Sequence, residues 1–112
     1  MASGRELSGV LPVIQTPFDV GGRIDETALT AELEWVLDQG VSGLTTGMVS
    51  EVLVLDDRER RRLTEVVVGV ARGRGALSVI SCGAETIESA VAHVRHAQQC
   101  CADAVMAIAP VT

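Results

Sequence analysis

Lysine and tyrosine are both missing from this 112-residue sequence, and all nine basic residues are arginine. Without lysine no side chain offers a primary amine, so imine chemistry on a carbonyl substrate has no internal nucleophile here. Arginine stays protonated and cannot take that part. Aromatics amount to 2%, Phe18 and Trp35, which leaves the core to Val, Leu, Ile and Ala. Such residues suit continuously buried strands. The formal net charge is -6, and the only basic cluster lies at 58–62. No long basic stripe exists to neutralise phosphates, which argues against a nucleic-acid partner. No apolar run approaches ~18 residues, the least a membrane-spanning helix needs. The opening MASGRELSG has no signal-peptide h-region. Cys82, Cys100 and Cys101 are odd in number and two are adjacent, a poor disulfide framework that points to a reducing, cytoplasmic setting.

What is present is 47% hydrophobic residues and a mean hydropathy of +0.33, which excludes a disordered chain. The length fits one domain, with roughly a third of the unfolded surface still exposed after folding. VLPVI at 10–14 reads as a strand that stops at Thr16-Pro17. A glycine turn follows. Asp25 then caps a helix whose apolar positions are Leu29, Leu33, Val36 and Leu37, ended by Gly40. A second strand begins near Gly43. Asp56 and Glu59 form a capping-box pattern before a helix burying Leu63, Val66, Val67 and Val70, ended by Gly73 and Gly75. LSVISC at 77–82 is a third strand. Ile87, Ala90, Val91 and Val94 mark a third helix face, and AVMAIAP at 104–110 is a fourth strand.

The order is βαβαβαβ, with strands recurring roughly every 30 residues, the length of one strand–crossover–strand unit. That alternation predicts a parallel sheet covered by helices. By itself it leaves open a doubly wound sheet or part of a barrel.

At this point the sequence resembles the dihydrodipicolinate synthase and N-acetylneuraminate lyase family of class I aldolases and related lyases. GVLPVIQTPFDVGGRID at 9–25 is similar to the family's opening strand and turn. LEWVLDQGVSGL at 33–44 is similar to its first helix and second strand, and RHAQQCCADAVMAIAP at 95–110 to its third helix and fourth strand. The resemblance implies an α/β fold, the N-terminal portion (βαβαβαβ, about half) of a TIM (β/α)8 barrel, with 1–112 as a single partial barrel domain. It also places the family's Gly-Thr-Thr-Gly-Glu motif on Gly47-Met48-Val49-Ser50-Glu51, because Glu51, Leu55 and Glu59 keep its downstream spacing. Thr45-Thr46-Gly47 is then a decoy: using it would shift the next helix by about one turn.

In the family, the two threonines hold the carboxylate of a 2-keto acid, and one belongs to a proton relay. Here Met48 and Val49 carry no hydroxyl. Backbone N–H groups at Val49 and Ser50 could still hold a carboxylate, with the Ser50 hydroxyl partly replacing the lost donor. The substrate-binding candidates are therefore Val49, Ser50, Glu51 and Thr16. For Glu51 a structural role toward the loop is favoured, and for Thr16 a bond to its own turn. Cys82 reads as a buried inert thiol. His93 and His96 read as helix-surface residues, with no zinc site beside Cys100-Cys101. Residues 57–62 read as a solvated helix face with an Asp57–Arg61 pair.

The resemblance further implies an imine lysine on strand six and a helper tyrosine on strand five, both beyond residue 112. A further family tyrosine, expected after strand four, is replaced by Pro110-Val111-Thr112. A closed barrel typically needs about 250 residues. The expectation is a lyase acting on pyruvate or a related 2-keto acid in a longer parent. No catalytic residue lies within these residues, no cofactor or metal is needed, and the chain should be inactive alone and self-associate through its strand edges. A non-catalytic truncated remnant or interaction module, and an open-sheet protein binding a small anion, are the alternatives.

Overall fold

A computed structural model describes residues 5–47, 50 and 52–108. Helix α1 spans Glu26–Asp38, strand β1 Gly43–Thr45, helix α2 Asp57–Gly73, strand β2 Leu77–Ser81, helix α3 Ile87–Gln99 and strand β3 Ala104–Met106. The strands are parallel in the order β1-β2-β3. Each lies beside the next in sequence, with one helix per crossover.

The helix boundaries follow the capping chemistry. The Asp25 carboxylate accepts from the Ala28 N–H, and α1 buries Leu29, Leu33 and Leu37 before Gly40 turns the chain at φ +86°. The Asp56/Glu59 capping box forms in both directions. Thr86 caps α3 by accepting from Ser89 N–H. On α2 the fully buried stripe is Leu63, Val67, Val68 and Ala71, with Val66 and Val70 only partly covered. On α3 the expected face is only half right. Val94 packs against the core, but Ile87 and Val91 are 72% and 40% exposed, because nothing among the described residues covers that side of α3.

The first expected strand, 10–14, does not become a full strand. Its contact with β1 is one bridge, Val13 to Thr45. Ile14 N–H donates to Thr45 O, and Pro12 O accepts from Thr45 N–H. The next rung back would need an N–H at residue 12, which proline lacks, so the ladder breaks there. The fourth expected strand is Ala104–Met106, and the remainder of 104–110 reaches into residues outside those described.

Pairing registers assign the two faces of the sheet. Ile14, Leu44, Ile80 and Cys82 turn toward the helices and are buried with Leu29, Leu33, Leu63, Val67 and Ala97. Val13, Thr45, Val79 and Ala104 lie in line on the opposite face. That face has no helix layer: Val13 and Met106 are 41% and 43% exposed. Among the described residues the molecule is a sheet with helices on one side, which agrees with its 20 Å thickness.

Candidate functional site at the C-terminal ends of the strands

Past the last residue of each strand the backbone ladder runs out, and side chains take over its work. Thr46 N–H still donates to Val79 O at 3.0 Å. Its hydroxyl then accepts from Ser81 N–H at 2.9 Å, tying the end of β1 to the end of β2. Gly47 N–H donates to the Ser50 hydroxyl at 3.1 Å, and Ser50 N–H returns a bond to Gly47 O at 2.9 Å. The Ser50 hydroxyl itself donates to Ile14 O, and the Thr16 hydroxyl donates to Ser50 O. Ser50 is fully buried and Thr16 nearly so. Three hydroxyl side chains, Thr16, Thr46 and Ser50, thus hold the rims of three chain segments together.

Thr16 bonds the loop after β1 rather than its own turn. Ser50 lies in that same loop, with its hydroxyl and its N–H both engaged inside the protein. Val49 and Glu51, the other two candidates, lie outside the described residues, as does Met48. Thr45 lies in β1 and donates its hydroxyl to Leu11 O at 3.0 Å, and Thr46 follows directly. Both threonines tie neighbouring segments of the sheet together.

Arg60 overturns the reading of 57–62 as a solvated face. It is 7% exposed, and its guanidinium donates to Gly83 O at 2.9 Å and Ser81 O at 3.0 Å. Those carbonyls end β2, so a cation from the first turns of α2 fastens the β2–α3 loop. Burial lowers its pKa, against the smaller opposing influence of Cys82 and Asp57, but a guanidinium stays charged. The expected Asp57–Arg61 pair is not among the ion pairs. Arg62 instead bridges to Glu26 of α1 at 2.6 Å and to Glu65 at 3.2 Å, and Asp57 lies 3.3 Å from His93.

His93 is likewise not a surface residue. It is 7% exposed, and its Nε2 makes no hydrogen bond. Burial lowers its pKa, the Arg60 charge adds to that, and Asp57 opposes it. The folded chain therefore takes up this proton less readily than the unfolded chain. The resulting stability is complete above the unfolded histidine pKa of about 6.5 and is lost as pH falls through it. Between pH 7.5 and 5.5, on either side of that value, the wild-type denaturation midpoint should fall more than that of His93→Gln. Equal losses would show that His93 is not the titrating group.

Cys82 is buried, and burial raises its thiol pKa to about 11, as an inert cysteine requires. His96 Nε2 lies 3.6 Å from Cys100 Sγ and 3.5 Å from Glu65. Among the described residues no group of three or more His, Cys, Asp or Glu could hold a metal ion. A cleft of about 590 Å³ opens between residues 52–55 and 83–89, with Arg60, Gly83, Thr86 and Ser89 on its wall. A larger hollow of about 1130 Å³ lies by the first turn of α2, where Arg23, Arg58 and Arg61 alternate with Glu26, Asp57 and Glu65. With Arg62, Asp56 and Glu59 its lining mixes charges of both signs.

Residues 6–111 match the dihydrodipicolinate synthetase family. The chain belongs to that family. It is 36% identical over 105 residues to the 4-hydroxy-tetrahydrodipicolinate synthase of Mesorhizobium japonicum, covering 93% of this chain and 36% of that one. YagE of Escherichia coli K12, a member of the dihydrodipicolinic acid synthase family solved in complex with pyruvate, superposes at a TM-score of 0.86. It shows 26% identity over 91% of this chain and 34% of its own. N-acetylneuraminate lyase from Mycoplasma synoviae shares the fold at a TM-score of 0.85 and 24% identity, over 93% of this chain and 36% of its own. The dihydrodipicolinate synthetase family members are TIM barrels, and this chain matches their N-terminal part. It spans about a third of their length. No helix among the described residues is long and apolar enough to cross a membrane.

Proposed function

We propose that the longer protein to which this chain corresponds is a cytoplasmic lyase. It would act on pyruvate or a related 2-keto acid through a lysine imine, in aldol or dehydratase chemistry without a metal or cofactor. The observation that carries this reading is the bonding of Thr46, Gly47 and Ser50 at the end of the strands, where barrel enzymes build their sites. A keto acid needs two things from a protein: fixed donors for its carboxylate, and an amine for its carbonyl. In this reading the backbone around Ser50 supplies the first. The Ser50 hydroxyl and N–H are engaged within the loop, so its side chain acts as a positioning group, and the carboxylate contacts fall to the neighbouring backbone. The second must come from elsewhere, since these residues contain no lysine. The chain alone is inactive and binds the keto acid weakly. It also self-associates through its open strand edges.

Amide shifts of the chain titrated with pyruvate test the binding part. Saturable shifts at residues 46–52, and not with chloride, are expected. Ser50→Ala should weaken them and also cost about 1–3 kcal/mol of stability, since it leaves Gly47 N–H and Ile14 O without a buried partner. Thr45→Ala should affect binding less. No shift at 46–52, or pyruvate shifts abolished by Thr45→Ala but untouched by Ser50→Ala, would contradict the placement.

A further inference from the structure

Among the described residues, the two outer edges of the sheet turn backbone groups outward at matching places. On the 10–14 segment, Ile14 N–H and Pro12 O are used by β1. In a parallel pairing successive residues alternate, so the N–H and C=O of Val13 between them point away from the sheet. On β3, Met106 O accepts from Cys82 N–H, so by the same alternation the groups of Val105 point away from β2. Val13 is 41% and Val105 43% exposed. The face between these edges has no helix over it: Thr45 and Val79 at its middle are buried, but Val13 on one edge strand and Met106 on the other, two residues further along, are 41% and 43% exposed, and Ile108 just beyond β3 is 58% exposed. Exposed edges of this kind are templates for further pairing.

We propose that the 112-residue chain by itself closes with a second copy of the same chain into an eight-stranded parallel barrel. The β3 of each copy pairs beside the 10–14 segment of the other. This rests on the barrel fold of the family and not on the keto-acid reading, so either can fail without the other. Three observations favour a second copy as the occupant. The segment and three strands make four positions, and two copies make the eight of a closed barrel. The two free edges are different surfaces, so a twofold axis satisfies both at once and leaves no edge for a third copy. The chain already holds the geometry of that part of a barrel, at a TM-score of 0.86 against a complete one. Closure buries Met106 and Val13 inside. It leaves Ile87 and Val91 of α3 uncovered, because two copies bring only six helices. Each copy carries a net charge of -6, so salt should tighten the dimer.

Sedimentation equilibrium of the chain and two variants tests this. Val105→Pro removes an N–H that β2 does not use, and Met106→Glu places a carboxylate on the face that closure would bury. Circular dichroism reports whether each variant stays folded. The wild type should weigh as a dimer at micromolar concentration. At least one variant should stay folded and weigh as a monomer, with the dimer dissociation constant raised at least tenfold. A wild-type monomer would overturn the proposal. So would open-ended growth to larger species, or a dimer that both folded variants leave intact.

Discussion

Arg60→Ala should cost the chain about 3 kcal/mol of unfolding free energy. The side chain is nearly fully buried, and its two N–H donors satisfy Gly83 O and Ser81 O. Truncation strands both carbonyls, at about 1–3 kcal/mol for each that water cannot reach, and removes the packing of the arginine stem. In a domain whose whole stability is about 5–15 kcal/mol, that is a large fraction. Arg60→Lys should recover little, because one ammonium cannot hold two carbonyls in the fixed fork of a guanidinium. Urea midpoints measure both variants. Wild-type stability in Arg60→Ala would mean that the β2–α3 loop holds itself without the cation.

Gly43→Ala should destabilise the fold far more than Gly69→Ala. A Cβ on Gly43 would overlap Leu77 O and lie 2.6 Å from Leu11 Cδ2. The first of these is backbone of the paired strand, in register with Gly43 itself. It cannot step aside without opening the β1–β2 ladder. Overpacking of this kind costs about 1–3 kcal/mol where side chains can yield, and the fixed carbonyl sets this case at about 3 kcal/mol or more. Gly69→Ala, whose Cβ would meet nothing within 4 Å, is the control and should be neutral or stabilising. Equal midpoints for the two variants would remove the argument from close approach.

Much of the architecture was legible because local chemistry and tertiary packing agree. Asp25, Asp56 and the glycines at 40 and 75 mark the helix ends by capping and by positive φ alone. The failures have separate causes. At 10–14 the apolar run was right and the pairing wrong, since Pro12 removes a donor that hydrophobicity does not register. On α3 the periodicity of Ile87 and Val91 was genuine, yet a helix face is buried only where something covers it. Arg60 was misread from its charge. Its position carried the signal: counting back from Leu63 and Val67 by three and seven places it on the buried stripe. A buried polar residue there needs partners, and the ends of β2 provide them. His93 sits on α3 four residues before Ala97, also buried, and was misread for the same reason. For the loop after β1, residue types alone could not show that the Ser50 hydroxyl would be consumed by Gly47 and Ile14: the first is a local turn contact, but the second is set by the meeting of two segments far apart in sequence.

The central claim is that this chain carries the carboxylate side of a 2-keto acid site and no imine-forming group. Borohydride trapping of the purified 112-residue chain with pyruvate, read by intact mass and peptide mapping, tests it most directly. The α-amino group of Met1 is the only primary amine, so the account predicts a slow, non-saturating adduct confined to residue 1 and no turnover of pyruvate-derived aldols. A rapid, saturable adduct at an internal residue, or aldol cleavage by the chain alone, would contradict it.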